Sequence, residues 1–253
     1  GPRRAAALRR AGVDEVVELE TTADLLSLGA DAFLDDLLER FQPEVIVEGP
    51  DFRFGRDRIG DNALLAARGG AMGFQVEIVP EERHLLADGT RGPARSSVIR
   101  RLLVQGRVRD AARLLGSPWT LDGQVVPGAQ RGREIGCPTA NLDVGDLLLP
   151  ADGVYACRAI VPGGGVHQAA VSVGTNPTFD GVERTCEAHL LDFDGDLDDY
   201  DWPLSLSFHH WIREQLRYDD LASLVAAIDR DLEEIRRRLE DDHAGDLRMS
   251  EVS

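Results

Sequence analysis

GVYACRAIV (153–161), HQAAVSVG (167–174), TCEAHLLDF (185–193) and LSLSFHHW (204–211) follow QVVPG (124–128) as short runs rich in β-branched and aromatic residues. Clusters of Gly, Pro, Asn and Asp separate them. Strands at this spacing predict an antiparallel barrel or sandwich. One amphipathic helix closes the region, because Leu221, Leu224, Val225, Ile228, Leu232, Ile235 and Leu239 recur at steps of three and four, with Asp219 or Asp220 as N-cap. Its apolar stripe predicts that it lies on the barrel. The polar tail beyond Asp241 is expected to fray.

Toward the N-terminus, residues 13–80 alternate strand, helix, strand, helix, strand: EVVELE, AFLDDLLERF, EVIVEG, NALLAARGGAMG and FQVEIVP. This order predicts a parallel sheet with crossover helices. After a polar turn at 87–93 come two short helices, SSVIRRLLVQG and VRDAARLLG, with Gly106 and Gly116 placed to stop them. The divide between an α/β domain and a β-rich domain is therefore expected at 117/118.

Composition removes several classes of function. The 253 residues carry 45 acidic against 28 basic groups, a formal net charge of -17, so the general field repels nucleic acid and anionic lipid. There is no lysine, which excludes a Walker-type phosphate site and Schiff-base chemistry. Three scattered cysteines, Cys137, Cys157 and Cys186, suggest neither a disulfide framework nor a zinc site and fit a reducing cytoplasm. No apolar run approaches the roughly 18 residues of a membrane span, and a soluble, cytoplasmic protein is expected.

The chemistry concentrates in GAQRGREIGCPTANL (128–142). Gly128, Gly132 and Gly136 fall at four-residue intervals, which allows backbone N–H groups to approach phosphate oxygens, although such glycines serve plain turns as readily. Thr139 and Asn141, two apart in an extended segment, can share a face, and their oxygens suit a Mg²⁺ bridging nucleotide phosphates; an Asx or ST turn would use the same residues. Pro138 fixes the approach of the chain. Arg131 and Arg133 can offset phosphate charge locally, or simply be surface arginines. Phosphoryl transfer to an alcohol also needs a base, and Glu187 is the candidate, on a strand whose alternation gives it the same face as Thr185 and His189.

From Trp119 to Leu239 the motifs GREIGCPTANL, LLPADGVYA, VSVGTNPTFDG, CEAHLLDFDGDL and WIREQLRYDDLASLVAAIDRDL resemble, in order, the riboflavin kinase module of the bacterial bifunctional riboflavin kinase/FMN adenylyltransferase family. The resemblance implies an α/β plus all-β chain: an incomplete Rossmann-like nucleotidyltransferase domain at 1–117, then a six-stranded Greek-key β-barrel with a C-terminal helix at 118–253. It implies ATP and riboflavin as substrates, FMN as product, Thr139 and Asn141 on Mg-ATP, and Glu187 as base for the ribityl 5′-hydroxyl. Arg213 is implied near the flavin or its phosphate. Cys137 stands where the family usually has phenylalanine, Ala129 where aspartate is common, and DLDDYDW replaces a turn that is usually basic.

The first half resembles the family's adenylyltransferase module through GVDEVVELE, VEGPDFRFGRDRIGD and RSSVIRRLL, with residues 51–55 matching a flavin-side loop and Ser97 and Arg100 a phosphate-side block. None of the six histidines lies in an HxGH sequence, so FAD synthesis is not expected of these residues. Two other readings stay open: the full bifunctional enzyme, and a non-catalytic flavin-binding regulatory module. Phe179, Trp211 and Tyr218 are candidates for flavin stacking. DFDGDLDDYD (192–201) resembles a calcium loop, but its glycine is misplaced and Pro203 takes the position of the bidentate acid. His209 and His210, adjacent on a strand, are expected on opposite faces, one core and one surface.

Overall fold

The computed structural model describes residues 2–128, 131–178, 181–195 and 200–250. Ala129 and Phe179, two residues singled out above, lie outside these, as do residues 196–199 of the calcium-like loop and the side chain of Arg131. The chain divides into two compact units, Gly1–Glu81 and Glu82–Ser253.

The first unit contains α1 (Pro2–Arg10), α2 (Ala23–Ser27), α3 (Ala30–Phe41), β1 (Val45–Glu48), α4 (Asn62–Met72) and β2 (Gln75–Ile78). Strands β1 and β2 pair in parallel, as the crossover pattern requires. Ala30, Leu34, Phe54, Leu65 and Phe74 form its core. Asp61 caps α4 by accepting from the Leu64 amide at 3.0 Å, and Gly73 ends it in the left-handed region. EVVELE, expected as a strand, is irregular: Val17 and Leu19 remain exposed and no ladder pairs it among the described residues. Alternation alone does not make a strand without a hydrogen-bonded neighbour.

The second unit opens with a hairpin, β3 (Arg83–Leu85) and β4 (Arg91–Pro93), where only a turn was expected. Helices α5 (Ser96–Val104) and α6 (Val108–Leu115) follow, with Gly106 and Gly116 both at positive φ after their last turns. Asp110 on α6 is 3% exposed and accepts from the Ala87 amide (2.7 Å), Arg107 (2.7 and 2.9 Å) and Arg113 (3.1 Å). Because α6 also packs on the barrel, the compact-unit divide falls at Glu81/Glu82, whereas sequence composition changes at 117/118.

The barrel consists of β5 (Trp119–Val126), β6 (Ala140–Asp143), β7 (Gly153–Ile160), β8 (Val166–Thr178), β9 (Gly181–Leu190) and β10 (Pro203–Arg213), with a short α7 (Arg131–Glu134) between β5 and β6. It closes in the order β10-β5-β6-β9-β8-β7, every neighbour antiparallel. Strand β6 pairs with β9 instead of its successor β7, which is the Greek-key connection. Period-two burial sends Leu204, Leu206 and Phe208 of β10 inward, with Tyr155, Cys157 and Ala159 of β7 and Cys186, Ala188 and Leu190 of β9. Glu187 and His189 therefore face outward.

The last helix, α8 (Leu221–Ser250), is capped by Asp220, which accepts from the Ser223 amide at 2.7 Å. It continues past Asp241, where fraying was expected, since no proline interrupts it before Ser250. Ile235 and Leu239 are buried with Ala156 and Leu191. Leu221 is 60% exposed and does not join the stripe on the barrel, and Leu224, Ile228 and Leu232 are only half-buried. The expected opposition of His209 and His210 is also corrected. A bulge between Phe208 and His210 shifts the register, so both rings reach Asp242 of α8, at 3.5 and 2.8 Å.

Candidate active site

The outer face of the barrel gathers the sequence-predicted residues around one strand pair. In the β6–β9 ladder Asn141 is directly opposite Glu187, and Ala140 is opposite Ala188. Directly opposed side chains on one face lie about 5 Å apart at Cβ, so the carboxamide and the carboxylate are neighbours. On the other side of β9, Glu187 is opposite Ser172 of β8.

Two clefts meet at this carboxylate. The first, about 490 Å³, lies between the barrel face and the N-terminal half of α8; Thr139, Glu187 and His189 form one wall, and Tyr218, Leu224 and Ile228 are part of the other. The second, about 510 Å³, runs past Gly128, Asn141, Asp143, Arg184 and Thr185 to the same Glu187. Thr139 and Asn141 thus line neighbouring clefts that share Glu187, whereas their spacing suggested a single one.

The glycines earn their positions by close approach. A Cβ on Gly128 would fall 1.8 Å from the Asn141 amide nitrogen, and one on Gly132 would fall 2.2 Å from the Cys137 carbonyl oxygen. Gly136 has φ +75°, a conformation that disfavours any side chain. The turn is closed by the Cys137 amide donating to the Gly132 carbonyl at 2.8 Å. Arg133 is exposed in this turn, and Pro138 leads from it into β6.

Charges near the clefts are mostly held in pairs. Arg213 forks onto Asp231 of α8 at 2.7–3.0 Å and stands 5.8 Å over the Tyr218 ring. Its placement at the first cleft comes with this ion pair, which joins β10 to α8. Arg184, at the second cleft, donates to Asp152 at 2.7 Å and to the Pro150 carbonyl. Burial pushes the Cys137 thiol up to about 11, with the Asp229 carboxylate adding to the effect, so this residue lines the cleft as a neutral group. Among the described residues no group of three His, Cys, Asp or Glu side chains could hold a metal. The hydroxyl of Thr139 and the carboxamide of Asn141 are hard oxygen donors of the kind Mg²⁺ takes.

A protein of Pseudomonas fluorescens described as a bifunctional riboflavin kinase/FMN adenylyltransferase is 36% identical over 232 residues, 91% of this chain and 72% of the relative. The chain belongs to the bifunctional riboflavin kinase/FMN adenylyltransferase family. A Haemophilus influenzae protein of the same description is 31% identical over 89% of this chain and 71% of its own length. The riboflavin kinase (flavokinase) family model matches residues 115–239, and the FAD synthetase model residues 2–86. A crystal structure described as a macrolide-efflux protein from Streptococcus pneumoniae superposes with a TM-score of 0.82 at 33% identity, covering 93% of this chain and 74% of that one. No helix among the described residues is long and apolar enough to cross a membrane.

Against this family background, several cleft residues escape a sequence reading. Ser172, Gln215 and Asp231 line the first cleft, and Gln215 donates to the Ser172 hydroxyl at 2.9 Å. Ser172 shows its outward face only through the β8 alternation; Gln215 lies in irregular chain with no periodicity to mark it. Tyr218, one of the candidates for flavin stacking, lines the first cleft. Trp211 does not: it lies against Gly153 and Gly106, where a Cβ would come within 2.5 and 3.3 Å of its ring.

Proposed function

We propose that this chain is a riboflavin kinase that transfers the γ-phosphate of ATP to the ribityl 5′-hydroxyl of riboflavin, giving FMN and ADP. The observation that carries this reading is the position of Glu187, an outward-facing carboxylate on the wall common to two clefts and directly opposite Asn141. Riboflavin occupies the first cleft, its ring system against Tyr218, Leu224 and Ile228, which supply apolar surface beside the polar Ser172–Gln215 pair. ATP occupies the second, its phosphates toward Gly128 and the glycine-containing segment that follows it in sequence, which carries Arg131 and Arg133.

An overall charge of -17 gives a field that opposes a triphosphate, so its binding depends on local donors. Backbone amides of the glycine segment and the guanidinium groups of Arg131 and Arg133 are the local donors the sequence offers. Thr139 and Asn141 would hold Mg²⁺, whose charge, when bound, offsets that of the phosphates. Glu187 accepts the proton of the 5′-hydroxyl as its oxygen attacks the γ-phosphorus and the bond to the ADP oxygen breaks. Arg213 acts at the flavin end through the frame it makes with Asp231. The cytoplasm is the proposed compartment, and no nucleic acid or membrane partner is proposed.

Glu187→Gln keeps the shape of the side chain and removes its basicity. Turnover is expected to fall by roughly 10² to 10⁴ with riboflavin binding retained. A variant that forms FMN at near the parent rate would remove Glu187 from the chemistry. A second activity, FMN adenylyltransfer, is favoured by the FAD synthetase match over residues 2–86. Incubation of FMN with ATP separates the two, since FAD accumulates only if that activity is present.

A further inference from the structure

The β6–β9 ladder leaves one position unsecured. Its terminal pair at this end is Ala140 with Ala188, and β6 begins at Ala140, so Thr139 lies just outside the backbone hydrogen bonding. Residue 138 is proline and has no amide to donate. Extending the register by one places His189 opposite Thr139, as Glu187 is opposite Asn141. The His189 Nδ1 is 2.8 Å from the Pro138 carbonyl oxygen. A carbonyl oxygen only accepts, so Nδ1 carries the proton and donates. This side-chain bond takes the place of the missing rung and ties the Pro138–Thr139 peptide to the strand that bears Glu187, two residues away on the same face.

We propose that His189 is a positioning residue for phosphoryl transfer, its Nδ1–H bond to the Pro138 carbonyl holding Thr139 in register with Glu187. The proposal rests on the kinase reading above. Without the bond, the hydrogen bond from the Cys137 amide to the Gly132 carbonyl is left to hold the segment before β6, and Thr139 drifts relative to the base. Displacement on the order of 1 Å in such an arrangement costs about 100-fold in rate.

Substitution with two amides of different reach gives the test. Asparagine places an N–H near the position of Nδ1; glutamine places its amide near that of Nε2. His189→Ala is expected to lower kcat for FMN formation by about 10- to 100-fold with the KM for riboflavin little changed. His189→Asn is expected to recover most of the loss, and His189→Gln to resemble alanine, with all three melting near the parent. ¹⁵N NMR of the parent should show a proton on Nδ1 of His189. An alanine variant at the parent rate, an asparagine variant no better than alanine, or a proton on Nε2 alone would each overturn the proposal. Absence of FMN formation by the parent would instead be a failure of the kinase reading, and the NMR measurement would still decide the hydrogen bond.

Discussion

A single missing Cβ governs the second cleft. Asn141 fills the space where a side chain at position 128 would begin, so Gly128→Ala must push the carboxamide away from the opposed Glu187. The KM for ATP should rise about tenfold or more, with riboflavin affinity and melting temperature close to those of the parent; unchanged ATP kinetics would contradict the proposed role of Asn141. The outward facing of Thr139, Asn141 and Glu187 was legible in the sequence, because strand alternation fixes it. Their division between two clefts was not, because it depends on strands β6 and β9 that are distant in sequence. Arg213 was legible as a residue of interest, but its partner was not: Asp231 is 18 positions away on a different element. Ser172 and Gln215 lacked any signal that would separate them from ordinary polar surface.

At the scale of elements, α8 has two roles along its length. Its middle is packed through Ile235 and Leu239, while its N-terminal turns, where Ala227 is buried, also form a cleft wall through Leu224 and Ile228. The heptad-like stripe predicted the helix and its N-cap, but periodicity cannot tell a sealed face from a cleft wall, since both demand apolar residues. The Arg213–Asp231 fork sets the spacing of that wall, with side chains 23% and 12% exposed. Asp231→Ala removes charged hydrogen bonds worth about 1–3 kcal/mol and leaves the guanidinium unpaired at the cleft. Urea unfolding should show the loss, and the KM for riboflavin should rise; a variant with parent stability and parent KM would show that the fork does not frame the cleft. The barrel strands were readable from their turn residues and alternation. EVVELE misled because its pattern carries no information about a pairing neighbour, and the β3–β4 hairpin was hidden by three-residue strands too short to show a period.

Over the whole molecule, acid should weaken the fold through carboxylates that the native state holds ionised. Hydrogen bonds from Thr90, then Arg107, bring Asp88 down from 3.8 to about 2, and those from Arg237 and Arg238 bring Glu234 down from 4.5 to about 2. A carboxylate depressed in the folded state contributes stability above its unfolded value and loses it as pH falls through its folded value. The urea midpoint should therefore decline between about pH 4.5 and pH 2, and a midpoint flat across that window would contradict the assignment of these pairs. A phosphoryl group passing from one cleft to the other beside Glu187 can be followed by its phosphorus atom. The protein is incubated with riboflavin, Mg²⁺ and ATP labelled at the γ-position, and the flavins are separated by chromatography. Label is expected in FMN, with ADP formed in equal amount, and label in FMN at least about 100-fold lower over the same time when Glu187 is replaced by Gln. Riboflavin recovered without label from the parent protein, at every Mg²⁺ concentration tried, would contradict it.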